Sequence, residues 1–332
     1  WRTSDDAAPP AAGAPGATGA HGVPVPVLGP ADLRAALTRP ARAWLRHGLR
    51  IVLPADPGLP QRDLPVWVGR GEQGLERWQL LADVVQRLQA GVDPARWREA
   101  RAVAGGIPPG RLGTALLDEV VAEASALVEA ADVAGPEVRV PVAVDVAGVR
   151  IEGVLRHRDG RIVDVSASST HPSAVVGPWV DLLVARAAAA AGSAAAAAID
   201  GATVVRRDGD DPAVRTLVVA DDSAATALAT VVDLALRARG GPLALLPRTA
   251  WTLLDPGAGH AAVATDVARD LRAPEARLVH GDLDVAAVVA LPSGPAEAGL
   301  PGADDDPAVA RVARVLTDAV AASARTAVGS AA

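Results

Sequence analysis

The stretch "GVRIEGVLRHRDGRIVDVSAS", Gly148 to Ser168, decides the fold of this chain. Apolar and polar residues alternate along both of its halves, and this period of two predicts β-strands on either side of Asp159-Gly160. A similar run, "EVRVPVAVDV", comes just before it and ends at Ala147-Gly148. Both dipeptides favour the tight turn of a β-hairpin. We therefore expect an antiparallel meander of three strands.

Helical patterns lie on both sides of this meander. "LERWQLLADVVQRLQAG" and "LGTALLDEVVAEASALVEAAD" repeat apolar residues every three or four positions before it, and a further helix is expected from about Ser173 to Ala190. Two more strands, "GATVVRR" and "RTLVVAD", come next. This order predicts an α/β fold, in which helices flank a mixed sheet and a helical section precedes it.

Four local expectations complete the secondary structure. Pro40 is expected to open a short helix, because the first helical position tolerates proline. Ser223 is expected to cap a helix that runs to Arg239, since serine is a favoured N-cap residue. The valine-rich run Val285–Leu291 is expected to form a strand, and Pro307–Arg325 a terminal helix.

The domain boundaries follow from changes in composition. Residues 1–30 are rich in Pro, Ala and Gly and have no periodicity, so they are expected to form a flexible linker. Residues 31–332 are expected to form one domain, mainly helical over 31–135 and an α/β core over 136–332. The sequence contains no methionine, so we expect it to be a piece of a longer protein.

Composition limits the classes of function. There are 32 basic and 39 acidic residues, a net charge of −7, so a generally basic surface is excluded. Residues 31–111, however, hold 13 arginines against eight acidic residues, and any DNA contact is more favoured there. The lack of cysteine excludes disulfides and thiolate metal sites. It also suits the cytoplasmic protein that we expect. No membrane contact is expected, because the alanine run between Arg186 and Asp200 is weakly apolar and too short for the roughly 20 residues of a membrane span.

One motif suggests a dinucleotide site. "GRGEQG", Gly69 to Gly74, matches G-x-G-x-x-G after a short extended run. A parallel strand should then follow the next helix, but "DPARWREARA" has a helical pattern instead. A glycine-rich turn is therefore the better interpretation. No phosphate-binding G-x-x-x-x-G-K-[ST] is present, and the six histidines lack metal-ligand spacing.

The opening stretch can also be compared with a nuclease pattern. Nucleases with a PD-(D/E)xK core place one acid at the end of a Gly-x-x-Asp strand and a second acid, with lysine two residues later, on the next strand. The carboxylates bind a divalent cation, and the cation and lysine orient the attacking water. In this chain Arg156 replaces the first acid, Asp164 keeps the second, and Ser166 replaces the lysine. The pattern therefore predicts a degenerate site without catalysis or metal.

An active nuclease remains an alternative. It would be a metal-dependent DNA exonuclease with a rearranged site around Asp164, and it would need substitute ligands such as Asp145 or Glu152. No lysine is available anywhere in the chain, and arginine is a poor replacement because its charge and geometry are fixed.

The turn in the opening stretch is a candidate DNA contact. Arg156, His157, Arg158 and Arg161 flank Asp159-Gly160 and could reach phosphates. An exposed polar hairpin without a ligand is the alternative interpretation.

Six ordered blocks resemble the C-terminal domain of RecC, the gamma subunit of bacterial exodeoxyribonuclease V. They run from about Leu33 to the last helix. The blocks are "LRAALTRPARAWLRHGLRIVLP", "LPVWVGRGEQGLERWQLLADVV", "GGIPPGRLGTALLDEV", the opening stretch, "VVGPWVDLLVARAAA" and "GGPLALLPRTAWTLL". In the last block Arg248 stands where the family has lysine.

This resemblance implies a fold, partners and a role. The fold would be a restriction-endonuclease-like PD-(D/E)xK core without catalytic residues. The partners would be RecB-like and RecD-like subunits and DNA, either duplex ends, forks or single strands. The domain would contribute to strand separation and to docking on RecB, in repair of double-strand breaks by recombination. Mg²⁺ and ATP would be cofactors of the partner subunits only. Since Phe and Tyr are absent, tryptophan or aliphatic residues would have to separate the strands.

Overall fold

The structure is a computed structural model. It describes residues 25–53, 75–104, 107–133, 135–291, 300 and 308–330. The G-x-G-x-x-G motif at 69–74 and most of the predicted linker lie outside the described residues. The last residues of that linker, by contrast, belong to the fold. Strand β1 (Val27–Leu28) pairs in parallel with a later strand, and Leu28 is fully buried.

A helical section comes first. Helices α1 (Pro30–Thr38) and α2 (Pro40–His47) confirm the start predicted at Pro40. Helices α3 (Leu75–Gln89), α4 (Pro94–Ala104) and α5 (Arg111–Glu129) follow. Helix α4 confirms the helical pattern that argued against a dinucleotide-binding unit.

The first half of the opening stretch belongs to a β-hairpin, and its second half belongs to a different sheet. Strands β2 (Val138–Val146) and β3 (Val149–His157) pair antiparallel across the predicted turn, where Ala147 and Gly148 both have positive φ. Strand β4 (Arg161–Ser169) is joined to β3 only by a bridge between Arg158 and Arg161. It pairs in parallel with β5 (Gly201–Asp208) in a second sheet. The predicted three-stranded meander is therefore wrong.

The side-chain pattern of β4 explains this departure. Ile162 packs into one core, while Val165 and Ala167 pack into another on the opposite face. A strand that is apolar on both faces is stable between two layers of helices, whereas the outer face of β2 and β3 remains exposed. Burial on both faces therefore favours the second sheet.

Helices cover both faces of the second sheet, whose strand order is β4-β5-β6-β7. Helix α6 (Val176–Ala190), after a short 3₁₀ helix at Pro172–Val175, packs on one face, and α3 and α5 pack on the other. Strands β6 (Asp211–Val219) and β7 (Ala324–Ser330) pair antiparallel. This arrangement confirms the α/β class with a mixed sheet. The stretch Pro172–Ala190 is long and apolar enough to span a membrane, but most of it is buried in the protein.

The rest of the chain differs from the sequence-based expectations at three places. The remaining helices are α7 (Ala194–Ala197), α8 (Asp221–Gly240), α9 (Pro247–Leu254), α10 (His260–Asp270), α11 (Pro274–His280), α12 (Val285–Val289) and α13 (Ala308–Ser323). The strand predicted near Val285 is wrong, because the Asp284 carboxylate caps a helix there by accepting from the Ala287 N–H at 2.8 Å. Ser223 does not cap α8, since the helix begins two residues earlier. Strand β7 follows the terminal helix and was not predicted.

Candidate functional site

Asp164, the surviving acid of the nuclease-like pattern, is bound by an arginine. The Arg206 guanidinium donates through Nη2 to Asp164 Oδ2 at 2.6 Å and through Nη1 to the Asp164 carbonyl at 2.8 Å. Arg206 is 8% exposed and also donates to the carbonyl of Val205. A fixed positive charge therefore lies where a metal-binding acid would hold its cation.

The sheet register places these two side chains together. Asp164 of β4 lies opposite Val204 of β5, and Arg206 is two residues further along β5. Side chains two residues apart in a strand share a face, so Arg206 projects from the same face of the sheet as Val204. Because Val204 lies opposite Asp164, this places Arg206 beside Asp164.

A second acid is paired with arginine nearby. Asp181 of α6 is 7% exposed, and its Oδ2 lies 2.5 Å from Nη1 of Arg34 on α1. Burial raises the pKa of Asp181 to about 6, against the opposing effect of Arg34, and the charge of Asp164 raises it further. Within the described part of the chain, the other carboxylate oxygen, Oδ1, has no hydrogen-bond partner.

This buried acid predicts a pH-dependent stability. The unfolded carboxylate ionises near its ordinary pKa of 3.8 and the folded one near 6, so ionisation opposes folding progressively as the pH rises from about 4 to 6. Asp181→Asn removes this cost. We expect the stability of the variant relative to the parent chain to rise by about 3 kcal/mol across that window. Urea unfolding of both chains from pH 4 to 7 measures this difference in stability. If the stabilities of the two chains change in parallel with pH, the raised pKa of Asp181 would be contradicted.

The three residues of the degenerate nuclease pattern do not form one cluster in the structure. Arg156 Nη1 lies 3.5 Å from Glu137, and the side chain lines a groove together with Val163 and Val165. These two valines leave β4 on the face opposite to Asp164, since alternate side chains of a strand point to opposite faces. Ser166 is on the Asp164 face, where its hydroxyl lies 3.1 Å from that of Ser168.

The substitute metal ligands are also engaged elsewhere. Arg150 binds Asp145 at 2.9 Å and Glu152 at 3.0 Å on the exposed side of the β2–β3 hairpin. In the part of the chain that the structure describes, no group of three or more acidic or histidine residues could hold a metal ion. The residues present therefore do not fit a divalent cation around Asp164.

The residues around the predicted DNA-binding turn differ in their exposure and in their hydrogen bonds. His157 is buried, and its Nδ1 accepts from the Gly160 N–H at 3.2 Å. Arg158 donates through Nη2 to the Gln89 carbonyl at the end of α3. Arg161 is exposed, and its backbone pairs with Arg158. Only part of this turn is thus available to a ligand without rearrangement.

A groove of about 960 Å³ lies between the helical section and the β3–β4 turn. It joins the arginine-rich segment to the turn, two features that the sequence suggested separately. Its basic lining residues are Arg87, Arg101, Arg156, His157 and Arg158. Two acids, Asp83 and Glu137, also line it. Sequence reasoning missed Arg101 as a site residue, because its position beside the turn depends on tertiary packing.

A buried polar cluster fastens the C-terminal helices to the core. His171 Nε2 lies 3.3 Å from Asp266, and the Thr252 hydroxyl donates to the same carboxylate at 2.6 Å. Burial lowers the pKa of His171, and the charge of Arg248 lowers it further. Arg248, which the resemblance placed at a lysine position, donates through Nε to Asp266 at 3.3 Å. Its role in this structure is to join α9 to α10.

Comparison with known proteins agrees with the resemblance described above. The family model for the RecC C-terminal domain matches residues 27–258, which include the groove, Asp164 and Arg206. A search of curated proteins found no match.

Proposed function

The chain belongs to the RecC C-terminal domain family, and we propose that it is a non-catalytic DNA-handling and scaffolding domain. Membership of the family implies a RecC subunit role in the RecBCD complex, and with it DNA repair and recombination. The finer role proposed here is to contact DNA ends as they are unwound and to dock on a RecB-like subunit. ATP hydrolysis and Mg²⁺-dependent cleavage would belong to the RecB-like and RecD-like subunits, in the cytoplasm.

One observation carries the non-catalytic part of this proposal. The Arg206 guanidinium is bound to the carboxylate and the carbonyl of Asp164, so a divalent cation would have to displace a buried, hydrogen-bonded positive charge. Displacement leaves an unpaired charge inside the protein, which is costly. The alternative of an active exonuclease around Asp164 requires that displacement.

The PD-(D/E)xK ancestry remains part of the proposal. It is supported by the family match, by the acid on β4 and by helices on both faces of the mixed sheet. The proposal also includes a role in strand separation, for which tryptophan or aliphatic side chains would be needed. Of the tryptophans that the structure describes, Trp97 and Trp179 are buried, and Trp44, Trp78 and Trp251 are partly buried.

The β3–β4 turn provides a test of DNA contact. We expect Arg158→Ala combined with Arg161→Ala to weaken binding of forked DNA about tenfold at low salt and to reduce its salt dependence, because two cations would no longer reach phosphates. Fluorescence anisotropy with a labelled fork, in EDTA, measures both quantities.

The matched control removes two arginines elsewhere. Arg272→Ala with Arg277→Ala changes the net charge equally, near helix α11. Equal losses of affinity in the two double variants would show that only the overall charge matters, and the proposed contact at the turn would then be wrong.

A further inference from the structure

We infer that Arg101 is a phosphate anchor in the groove, and that the groove binds the backbone of a single strand of nucleic acid. This inference rests on the proposed DNA-handling role and names the kind of strand and the residue that holds it. Arg101 lies on α4 and lines the groove together with Arg156, at the end of β3, and Arg158 of the β3–β4 turn.

Among the residues that the structure describes, Arg101 has no hydrogen-bond or ion-pair partner, unlike the other groove arginines. Its Nε is buried without a hydrogen bond, and no ion pair reaches it from any residue that the structure describes. Arg87 is paired with Asp83 at 3.5 Å, and Arg158 with the Gln89 carbonyl. A buried guanidinium N–H without an acceptor is costly, and an anion in the groove would supply the missing acceptor.

The acids of the groove do not cancel this positive charge. Asp83 accepts from the Trp97 indole N–H at 2.8 Å in addition to its pairing with Arg87. Glu137 lies 3.5 Å from Arg156, which is about half exposed, and a pair of this kind contributes little. A phosphate can therefore compete with Glu137 for Arg156 at small cost while it also binds Arg101.

The volume of the groove suits a few nucleotides of one strand. At about 960 Å³ it is at the upper end of the range for small-molecule sites. Leu80, Val128, Val163 and Val165 provide apolar walls beside the arginines. No Trp, Tyr or Phe is among the described lining residues, and the one lining imidazole, that of His157, is buried, so the stacking of bases seen in many single-strand sites is not favoured there. Binding is then dominated by phosphates and is insensitive to sequence.

Fluorescence anisotropy of the whole chain with labelled oligothymidylate, in EDTA and over a series of salt concentrations, tests this inference. We expect Arg101→Gln to weaken binding about tenfold at low salt, the value for one charged hydrogen bond. The slope of log affinity against log salt should fall by about 0.7, since one phosphate contact on a single strand is lost. Arg101→Lys, which restores the charge, should recover part of the affinity.

The matched control is Arg96→Gln, an exposed arginine on the same helix that is not among the groove residues. It should change the affinity less than about twofold. If Arg101→Gln and Arg96→Gln bind oligothymidylate equally well, the groove inference is wrong while the DNA-handling role stands. The same holds if the wild-type chain binds polyglutamate, or a duplex of equal length, more tightly than oligothymidylate. If the wild-type chain binds no DNA of any form at low salt, both proposals are overturned.

Discussion

A chain that ends at residue 307 will not fold. This truncation removes α13 and β7, although both lie beyond the part of the chain that the family model matches. Val309, Val312, Leu316 and Val320 of α13 are at most 7% exposed. At about 2 kcal/mol for each buried side chain, their loss costs about 8 kcal/mol, which is comparable with the whole stability of an ordinary domain.

The truncation also opens the sheet and the core. Strand β7 pairs with β6 along seven residues, and its loss exposes that edge. The Trp179 indole N–H, fully buried, loses its acceptor, the Ser323 hydroxyl at 2.9 Å. Circular dichroism and urea unfolding should show no cooperative transition. A chain that lacks only Ala331 and Ala332 is the control and should unfold like the parent. A cooperative transition in the long truncation would show that residues 308–330 are an appendage.

Replacing Arg206 by alanine is expected to cost about 3 kcal/mol of stability. The change leaves the Asp164 carboxylate and two carbonyl groups without their donor, and it removes a long buried side chain. The Asp164 side chain is 36% exposed, so water compensates part of the loss and keeps the value at the lower end of the range for buried pairs.

A double-mutant cycle separates the pairing from other effects. Asp164→Ala, Arg206→Ala and the double variant should show a coupling energy of about 1–3 kcal/mol in urea unfolding. Arg272→Ala, at an exposed position, should be nearly neutral. Additive effects of the two changes would mean that Asp164 and Arg206 do not depend on each other, and Asp164 would then need another role.

Local sequence patterns predicted the elements whose stability is mainly local. The hairpin of β2 and β3 has a two-residue turn and alternating strands, helices α3 and α5 have clear apolar faces, and helix α6 is apolar and buried along most of its length. The partner of β4 was not predictable in this way, because pairing with β5 depends on helices that pack on both faces from distant parts of the chain. Val285 and its neighbours were assigned to a strand by their β-branched side chains, although the cap at Asp284 and two alanines favour a helix.

The candidate site shows the same division. The loss of the nuclease pattern was visible in Arg156 and Ser166, since residue types alone exclude the chemistry. The structural role of Asp164 could not be predicted from the sequence, because its partner Arg206 lies 42 residues later and only the pairing of β4 with β5 brings the two together. A charged residue at the end of the apolar run "GATVVRR" was the one available signal of a buried ion pair.

The most direct test of the central claim is a cleavage assay with the purified chain. Linear duplex and single-stranded DNA would be incubated with Mg²⁺ or Mn²⁺, with EDTA as control, and calorimetry would follow metal binding. We expect no cleavage and no saturable heat of metal binding, because the Arg206 guanidinium is bound to the Asp164 carboxylate. Metal-dependent cleavage that Asp164→Ala abolishes would contradict this expectation.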